Sequence, residues 1–111
     1  MKYRAVTFTV LGIGALAAAA AHAEDPGKKI YESTCVACHG KDGQGTLPGV
    51  PSLRKKGGAL SKSDEQLIKS ILEGYQSPGS PLAMPAKGGN PALTEADARA
   101  VLNYLRAVFG K

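Results

Sequence analysis

Residues 35–40, with the sequence CVACHG, determine how the rest of this 111-residue chain is interpreted. Cys35 and Cys38 are three positions apart, so in a helix their thiols lie about one turn apart on one face. His39 follows at once and extends its imidazole from the same side. Two soft sulfur ligands and one nitrogen on a single turn indicate a covalent or metal-binding centre. The remaining residues decide which kind it is.

Four chemistries use such a pair of cysteines, and three of them fit this chain poorly. A disulfide between Cys35 and Cys38 would close a loop too small to constrain much of the chain. A zinc site lacks a second Cys/His pair, and the adjacent Cys38 and His39 chelate one ion poorly. A thioredoxin-like dithiol requires a βαβ context, which is missing. C-x-x-C-H is the attachment signature of a c-type haem, with both thiols placed for thioether bonds to the porphyrin vinyls.

The N-terminal segment has the composition of a secretory signal peptide. Basic residues precede an apolar run over residues 5–21, which ends in Ala-His-Ala at 21–23 before two acids. This order predicts cleavage after Ala23. The alternative is an uncleaved membrane anchor, for which the run is at the lower limit of length. The sequence thus predicts a signal peptide over residues 1–23 and one mature domain, without a membrane span, over residues 24–111.

The predicted mature domain has few residues with which to build a hydrophobic core. It has no Trp, a single Phe (Phe109) and three Tyr, at positions 31, 75 and 104. A chain of this length buries only roughly 60–65% of the surface that its unfolded form exposes. Small exported domains commonly gain the missing stability from disulfides, a metal or a cofactor. Because at most one disulfide is available, the composition favours a bound cofactor in the interior.

Three segments have helical patterns, and none alternates as a strand would. Asp25 is a predicted N-cap, with Pro26 at the first helical position of a helix that continues into the cysteine motif. Ser63 opens a capping box for a second helix, which Gly74 ends. Thr94 begins a third helix, with acids in its first turn and an apolar face behind them. The pattern predicts an all-α fold with three main helices.

Two long segments without periodicity, residues 40–62 and 75–93, join these helices. Connections of this length are uncommon in compact domains unless they are functional or disordered. Flexible linkers are the simple alternative, but both segments contain apolar residues for which a linker has no use. These residues are Leu47, Val50, Leu53, Leu82 and Met84. Both loops are therefore expected to wrap a large apolar body.

His39 and Met84 are the only histidine and the only methionine of residues 24–111. A second histidine ligand from this chain is thus excluded. Met84, a lysine, a tyrosine or an open position remains for the other side of a haem iron. A neutral thioether suits iron in both oxidation states, whereas the alternative role for Met84 is a flexible filler of an apolar gap. Pro85 favours the ligand role, because it biases Met84 toward an extended backbone in a stiff loop.

Four segments together resemble a small class I bacterial cytochrome c with His/Met ligation. They are GKKIYESTCVACHGKDGQG, PGVPSL, AMPA and LTEADARAVLNYLR, in that family's order and over nearly all of residues 27–106. The resemblance implies a cytochrome c fold, with three main helices and long loops wrapped around one haem c attached through Cys35 and Cys38. It also implies iron ligation by His39 and Met84.

The resemblance implies roles for further residues. Pro51 matches the proline whose carbonyl accepts the proton of the iron-bound imidazole, which would orient His39 and raise its basicity. Arg54 and Tyr75 are candidates for contacts with the haem propionates. Gly27 would allow the first and last helices to cross closely.

A haem iron with both axial positions filled by the protein is suited to one-electron transfer, because no position is left for substrate. The chain also lacks a free nucleophile–base pair, so the sequence predicts a periplasmic electron carrier, not an enzyme. The expected form is a monomer that meets a donor and an acceptor protein. Alternatives are a dedicated haem c subunit of an exported dehydrogenase or oxidase complex, and a ligand-binding or peroxidatic haem protein with Met84 off the iron.

Lysines are candidates for steering a redox partner toward the haem edge. The alternative is that they only keep the surface soluble. Nucleic acid is not an expected partner, because export argues against it and no basic patch with interleaved aromatics is present. The lysines considered are Lys28, Lys29, Lys41, Lys55, Lys56, Lys62, Lys69 and Lys87.

Overall fold

The computed structural model describes residues 25–110, together with the isolated positions 7, 9, 10, 12 and 14. Apart from those positions, the predicted signal peptide lies outside the described residues. The helices are α1 (Pro26–Ile30), α2 (Val36–His39), α3 (Asp64–Glu73) and α4 (Glu95–Phe109). A π-helical turn, Tyr31–Cys35, joins α1 to α2, and short turns of 3₁₀ type span Ala59–Ser61 and Ala86–Gly89.

The all-α prediction is confirmed, since residues 25–110 contain no strand. No helix within this range is long and apolar enough to cross a lipid bilayer.

The predicted helix starts are also confirmed, and each uses a side chain to satisfy backbone N–H groups that the helix itself leaves free. The Oδ1 atom of Asp25 accepts a hydrogen bond from the N–H of Gly27 at 2.9 Å. Ser63 and Thr94 open capping boxes at α3 and α4. The predicted stop of α3 is Gly74, which has a φ of 85°. Local capping chemistry therefore accounts for where these helices begin and end.

One wider turn interrupts the first helix, which the sequence predicts as continuous. Residues Tyr31–Cys35 form the π-helical turn between α1 and α2. Such turns occur mostly as single insertions within α-helices and are frequent at functional sites. The prediction of one regular α-helix through Cys38 was therefore wrong in this detail, and the irregular turn ends at the first cysteine of the motif.

Helix α1 packs against α4 at Gly27, where the two backbones are in contact. Gly27 is buried. A Cβ atom at this position would overlap the carbonyl oxygen of Ala100 and lie 2.8 Å from the Cβ atom of Tyr104. Glycine is therefore the residue that permits the approach. The predicted close crossing of the first and last helices is confirmed.

Gly27→Ala is expected to lower the free energy of unfolding by about 2–4 kcal/mol, because the added methyl group fits only if α1 moves away from α4. Chemical denaturation followed by circular dichroism measures the loss. Lys29→Ala, at an exposed position of the same helix, is the control and should change stability by less than about 0.5 kcal/mol. Equal stability of the two variants would contradict the backbone contact.

The few aromatic residues of the chain are concentrated in one cluster beside this crossing. The ring centroid of Tyr31 lies 5.5 Å from that of Tyr104 and 5.4 Å from that of Phe109. Tyr31 and Phe109 are fully buried. Aromatic pairs at these separations add to the stability gained from burial alone. The cluster thus holds the first helical segment against the C-terminal half of α4, and Tyr75 lies outside it.

Arg106 on α4 holds the end of the first long loop, a role that the sequence analysis missed. Its Nη1 and Nη2 atoms donate hydrogen bonds to the carbonyl oxygens of Leu60 and Lys62, at 2.8 and 3.0 Å. Its Nε atom donates to Oδ1 of Asp64 at 2.9 Å. One guanidinium therefore fixes the first residues of α3 and the preceding loop against α4.

Candidate cofactor site

An apolar cavity of about 460 Å³ lies between the helices and the two long loops. This volume is within the range of pockets that bind small molecules and cofactors. Helices α3 and α4 contribute Ile71, Val101, Leu102 and Leu105 to its wall. The apolar loop residues that were expected to wrap an apolar body all line it, which confirms that expectation. They are Leu47, Val50, Leu53, Leu82 and Met84.

Both cysteines of the motif line the cavity and are free thiols. Cys35 is half-buried, whereas Cys38 is exposed. Burial raises the pKa of Cys35 to about 11, with a smaller contribution from the nearby Cys38. Two sulfur atoms therefore lie at the cavity wall, one turn apart.

His39 presents a buried imidazole at the same wall. Its Nδ1 atom is buried and forms no hydrogen bond with any of residues 25–110. Burial also lowers the pKa of His39, and the neutral imidazole is the form that binds metals. A neutral imidazole at an apolar cavity wall is therefore available to bind a metal-containing group.

The loop after the motif holds the His39 turn in place through three carbonyl groups at the end of α2. The N–H groups of Gly45 and Thr46 donate to the carbonyls of His39 and Cys38, both at 2.8 Å. The Thr46 hydroxyl donates to the carbonyl of Ala37 at 2.7 Å. Helix ends otherwise leave such carbonyls without partners. Thr46 thus positions the motif, a role that no local sequence pattern predicts.

Met84 reaches the cavity at the end of a loop that is closed by an isolated antiparallel bridge between its backbone and that of Tyr75. The N–H of Tyr75 donates to the carbonyl of Met84 at 3.0 Å, and the N–H of Met84 donates in return at 2.7 Å. A Cβ atom on Gly74 would lie 2.7 Å from the carbonyl oxygen of Met84, so glycine is required at this close approach. The pairing brings Met84 to the cavity that His39 also lines.

Comparison with known proteins accounts for this arrangement. The sequence model described as cytochrome c matches residues 24–109. The chain belongs to the cytochrome c family. Cytochrome c-555 of Chlorobaculum tepidum is 31% identical over 104 residues, which is 92% of this chain and 94% of that protein. The solved structure of the KustC0563 c-type cytochrome is similar with a TM-score of 0.59 at 28% identity, over 74% of this chain and 95% of its own.

This cytochrome c is also similar to one section of a larger protein. The CcoP subunit of the cbb3-type cytochrome c oxidase of Rhodobacter capsulatus is 32% identical over 86 residues. The matched section is 76% of this chain but 29% of CcoP. The same domain therefore occurs both as a small separate protein and within a longer polypeptide.

Membership of the family implies a covalently bound haem c, and the residues of this cytochrome c fit that group. The two thiols at the wall would hold the porphyrin, and the buried imidazole of His39 would bind the iron. The apolar lining suits the faces of a large macrocycle. When bound, the haem supplies one-electron redox chemistry.

Of the further residues predicted from the family resemblance, Pro51 and Tyr75 line the cavity. No hydrogen bond joins the carbonyl of Pro51 to Nδ1 of His39, so the bond expected between them stays a prediction for the haem-loaded protein. Tyr75 lies at the cavity mouth, with 42% of its surface exposed.

Arg54, in contrast, is not among the residues that line the cavity. Its Nε atom donates to the carbonyl of Asp42. Its guanidinium carbon lies 5.0 Å from the centroid of the Phe109 ring, a cation–π distance. This position does not support the predicted contact with a propionate, because the side chain is directed to the aromatic cluster.

Tyr31 supports the motif of this cytochrome c from the aromatic cluster. Its hydroxyl donates a hydrogen bond of 2.5 Å to the carbonyl of Gly40, the residue after His39. Burial is the main cause that raises the pKa of Tyr31 to about 12. The hydroxyl therefore stays protonated, and able to donate, throughout the neutral pH range.

Tyr31→Phe is expected to lower the free energy of unfolding by about 1–2 kcal/mol at pH 7, because the buried carbonyl of Gly40 loses its donor. The pKa of Tyr31 rises on folding from 10 to about 12. Its contribution is therefore complete below pH 10 and is lost as the pH rises toward 12. Denaturant titrations between pH 7 and pH 12 should show the two proteins converging in stability. Parallel stability curves for the two proteins up to pH 12 would contradict the role of this hydroxyl.

Proposed function

We propose that this cytochrome c is a periplasmic one-electron carrier with one haem c, attached through Cys35 and Cys38 and ligated by His39 and Met84. The observation that carries the proposal is that these four residues, from the motif and from the second loop, all line one apolar cavity. Residues 24–111 contain no other histidine, methionine or cysteine. The set therefore provides two attachment points and two axial ligands, with none to spare.

The side chains assigned to the iron explain why electron transfer is the function. With an imidazole on one side and a thioether on the other, no axial position remains for substrate. The apolar wall excludes water and lowers the local dielectric constant, which together with the ligands sets the redox potential. One electron enters from a donor protein and one leaves to an acceptor, and no atom is transferred.

The proposal includes export of the chain to the periplasm. Its support is the basic start, apolar run and Ala-His-Ala ending of residues 1–23. Loss of these residues would release a domain that begins one residue before the Asp25 helix cap.

The mass and visible spectrum of the protein purified from periplasm test the proposal. The intact mass should equal residues 24–111 plus one haem. The ferric protein should show the weak far-red band of thioether ligation, and the reduced protein should not bind carbon monoxide. Ready binding of carbon monoxide would instead indicate an open position at the iron and a ligand-binding haem protein. The mass of bare polypeptide would rule out the attached haem.

A second candidate function is a dedicated haem c subunit of an exported enzyme complex. The similarity to one section of CcoP favours it. An obligate subunit would use a large apolar interface and remain bound to its enzyme. Size-exclusion chromatography of a periplasmic extract, monitored at the haem absorption, separates the two candidates. A carrier elutes at the size of a monomer, whereas a subunit elutes with the complex.

A further inference from the structure

The loop side of the cavity is an uncharged surface. Residues 43–53 and 74–86, which supply this side, contain no Asp, Glu, Lys or Arg. Charged residues make up 21% of the whole chain. Two neutral segments of this length at one site therefore set this face apart from the rest of the molecule.

Six apolar residues of these segments line the cavity and are also exposed, which places them at its mouth. Leu47 is 47% exposed and Leu82 is 40% exposed, and Pro51, Tyr75, Ala83 and Pro85 are exposed as well. We call these six residues the neutral rim. Monomeric proteins rarely expose contiguous apolar surface without a binding function.

The two loops that carry the neutral rim are in contact with each other. The Ser80 hydroxyl donates to the carbonyl of Gly49 at 3.4 Å. A Cβ atom on Gly49 would lie 2.8 Å from the Ser80 hydroxyl oxygen and 3.1 Å from Cδ of Pro81. This junction lies two residues from Leu47 in the first loop and two from Leu82 in the second.

The lysines contribute little to the cavity wall. Of the eight that the sequence analysis considers for docking, Lys62 alone lines the cavity. Its Nζ atom lies 4.1 Å from the centroid of the Tyr75 ring, so the ammonium group of Lys62 rests on the rim's own aromatic. Lys28 and Lys69 form ion pairs with glutamates one turn away on their helices.

We propose that the redox partners of this cytochrome c dock on the neutral rim through an uncharged, apolar face of their own, without lysine–carboxylate pairing. The proposal rests on the proposed function, because it assumes that electrons pass through the cavity mouth. Charge complementarity favours such a partner. A partner that docked an acidic face against the rim would lose the water around its carboxylates, and it would find no opposite charges there to replace that water. A neutral apolar face gains burial instead.

Electron self-exchange between two copies of the holoprotein tests this surface directly. One electron passes from the reduced iron of one copy to the oxidised iron of the other, and nuclear magnetic resonance line broadening in mixtures gives the rate. Two neutral rims should meet with little repulsion, so the rate should change by less than about threefold between low and high salt. A mouth lined by lysines would give a steep rise, because salt screens the repulsion.

Leu82→Glu places a charge on the neutral rim, and Val108→Glu is its matched control. Both residues are apolar and similarly exposed, at 40% and 38%, but Val108 lies on α4 outside the cavity lining. At low salt, Leu82→Glu should lower the self-exchange rate by about tenfold, with recovery at high salt, and Val108→Glu should stay within about twofold. Retention on a hydrophobic-interaction column should fall more for Leu82→Glu, independently of electron transfer.

Three results would overturn the docking proposal. They are a steep salt dependence of the unaltered protein, equal rates for the two glutamate variants, and a stable dimer in analytical ultracentrifugation, which would make the neutral rim an interface between copies. The visible spectrum keeps this outcome separate from the proposed function. If the spectrum lacks thioether ligation, the carrier proposal fails; if the spectrum is as expected and the rates are not, only the docking proposal fails.

Discussion

Replacing Cys35 and Cys38 together by alanine is expected to abolish both the attached haem of this cytochrome c and its cooperative fold. The cavity that the porphyrin would fill measures about 460 Å³. Without the porphyrin, the apolar lining loses the contacts that the macrocycle would supply, and a typical domain has only about 5–15 kcal/mol of stability to offset such a loss. The buried core of residues 25–110 is a cluster of ten hydrophobic residues, too few to replace those contacts.

The intact mass and the melting curve of the double variant measure this effect. The mass should be that of bare polypeptide, and far-ultraviolet circular dichroism on heating should show no cooperative transition. The double variant Ser33→Ala/Thr34→Ala changes two positions just before Cys35 and is the matched control, which should keep the haem and the transition. A haem-free double cysteine variant that melts as sharply as the unaltered protein would show that the cofactor does not complete the core.

Met84→Leu is expected to convert the protein from a closed carrier to one that binds external ligands. Leucine has nearly the volume of methionine, so packing is conserved while the thioether is lost. The far-red ferric band should disappear, the reduced protein should bind carbon monoxide, and the redox potential should fall by on the order of 0.1 V or more. Visible spectroscopy and redox titration measure all three.

The same substitution separates the two roles considered for Met84. If Met84 only fills an apolar gap, Met84→Leu should leave the spectrum and the potential unchanged. Leu82→Ala serves as the control, because Leu82 lines the same cavity from the same loop but carries no ligand atom. It should retain the far-red band and exclude carbon monoxide. A Met84→Leu protein with an unaltered spectrum would reject Met84 as a ligand.

The parts of the fold that the sequence predicts correctly depend on neighbouring residues. Ser63 and Thr94 mark helix starts because their hydroxyls bond to N–H groups three residues ahead. The π-helical turn was missed, because the residues from Tyr31 to Cys35 have no pattern that distinguishes it from an ordinary helical turn. The role of Arg106 was missed for a different reason. Its partners Leu60 and Lys62 are more than forty residues away, and no local pattern records such a bond.

The residues of the candidate site also fall into two groups, those that the sequence predicts and those that only the structure places. The sequence alone points to Cys35, Cys38, His39 and Met84, because few residues of the domain can bind iron or a porphyrin. The placement of Arg54 required the tertiary structure, since the Phe109 ring that its guanidinium contacts lies far away along the chain. The neutral rim could not be predicted from the sequence either, because it forms only where the two loops meet at the mouth of the cavity.

By itself, the sequence determined the chemistry of this protein: which atoms can bond to a haem, where the helices start, and that an interior so poor in aromatics favours a bound group. Only the tertiary structure decided which of these atoms share a cavity, how the His39 turn is held, and which of the lysines lines the cavity. The physical reason is the separation along the chain over which each interaction acts. Capping bonds and motif spacing act within a few residues, whereas cavity walls and docking faces form between segments that only the folded chain brings together.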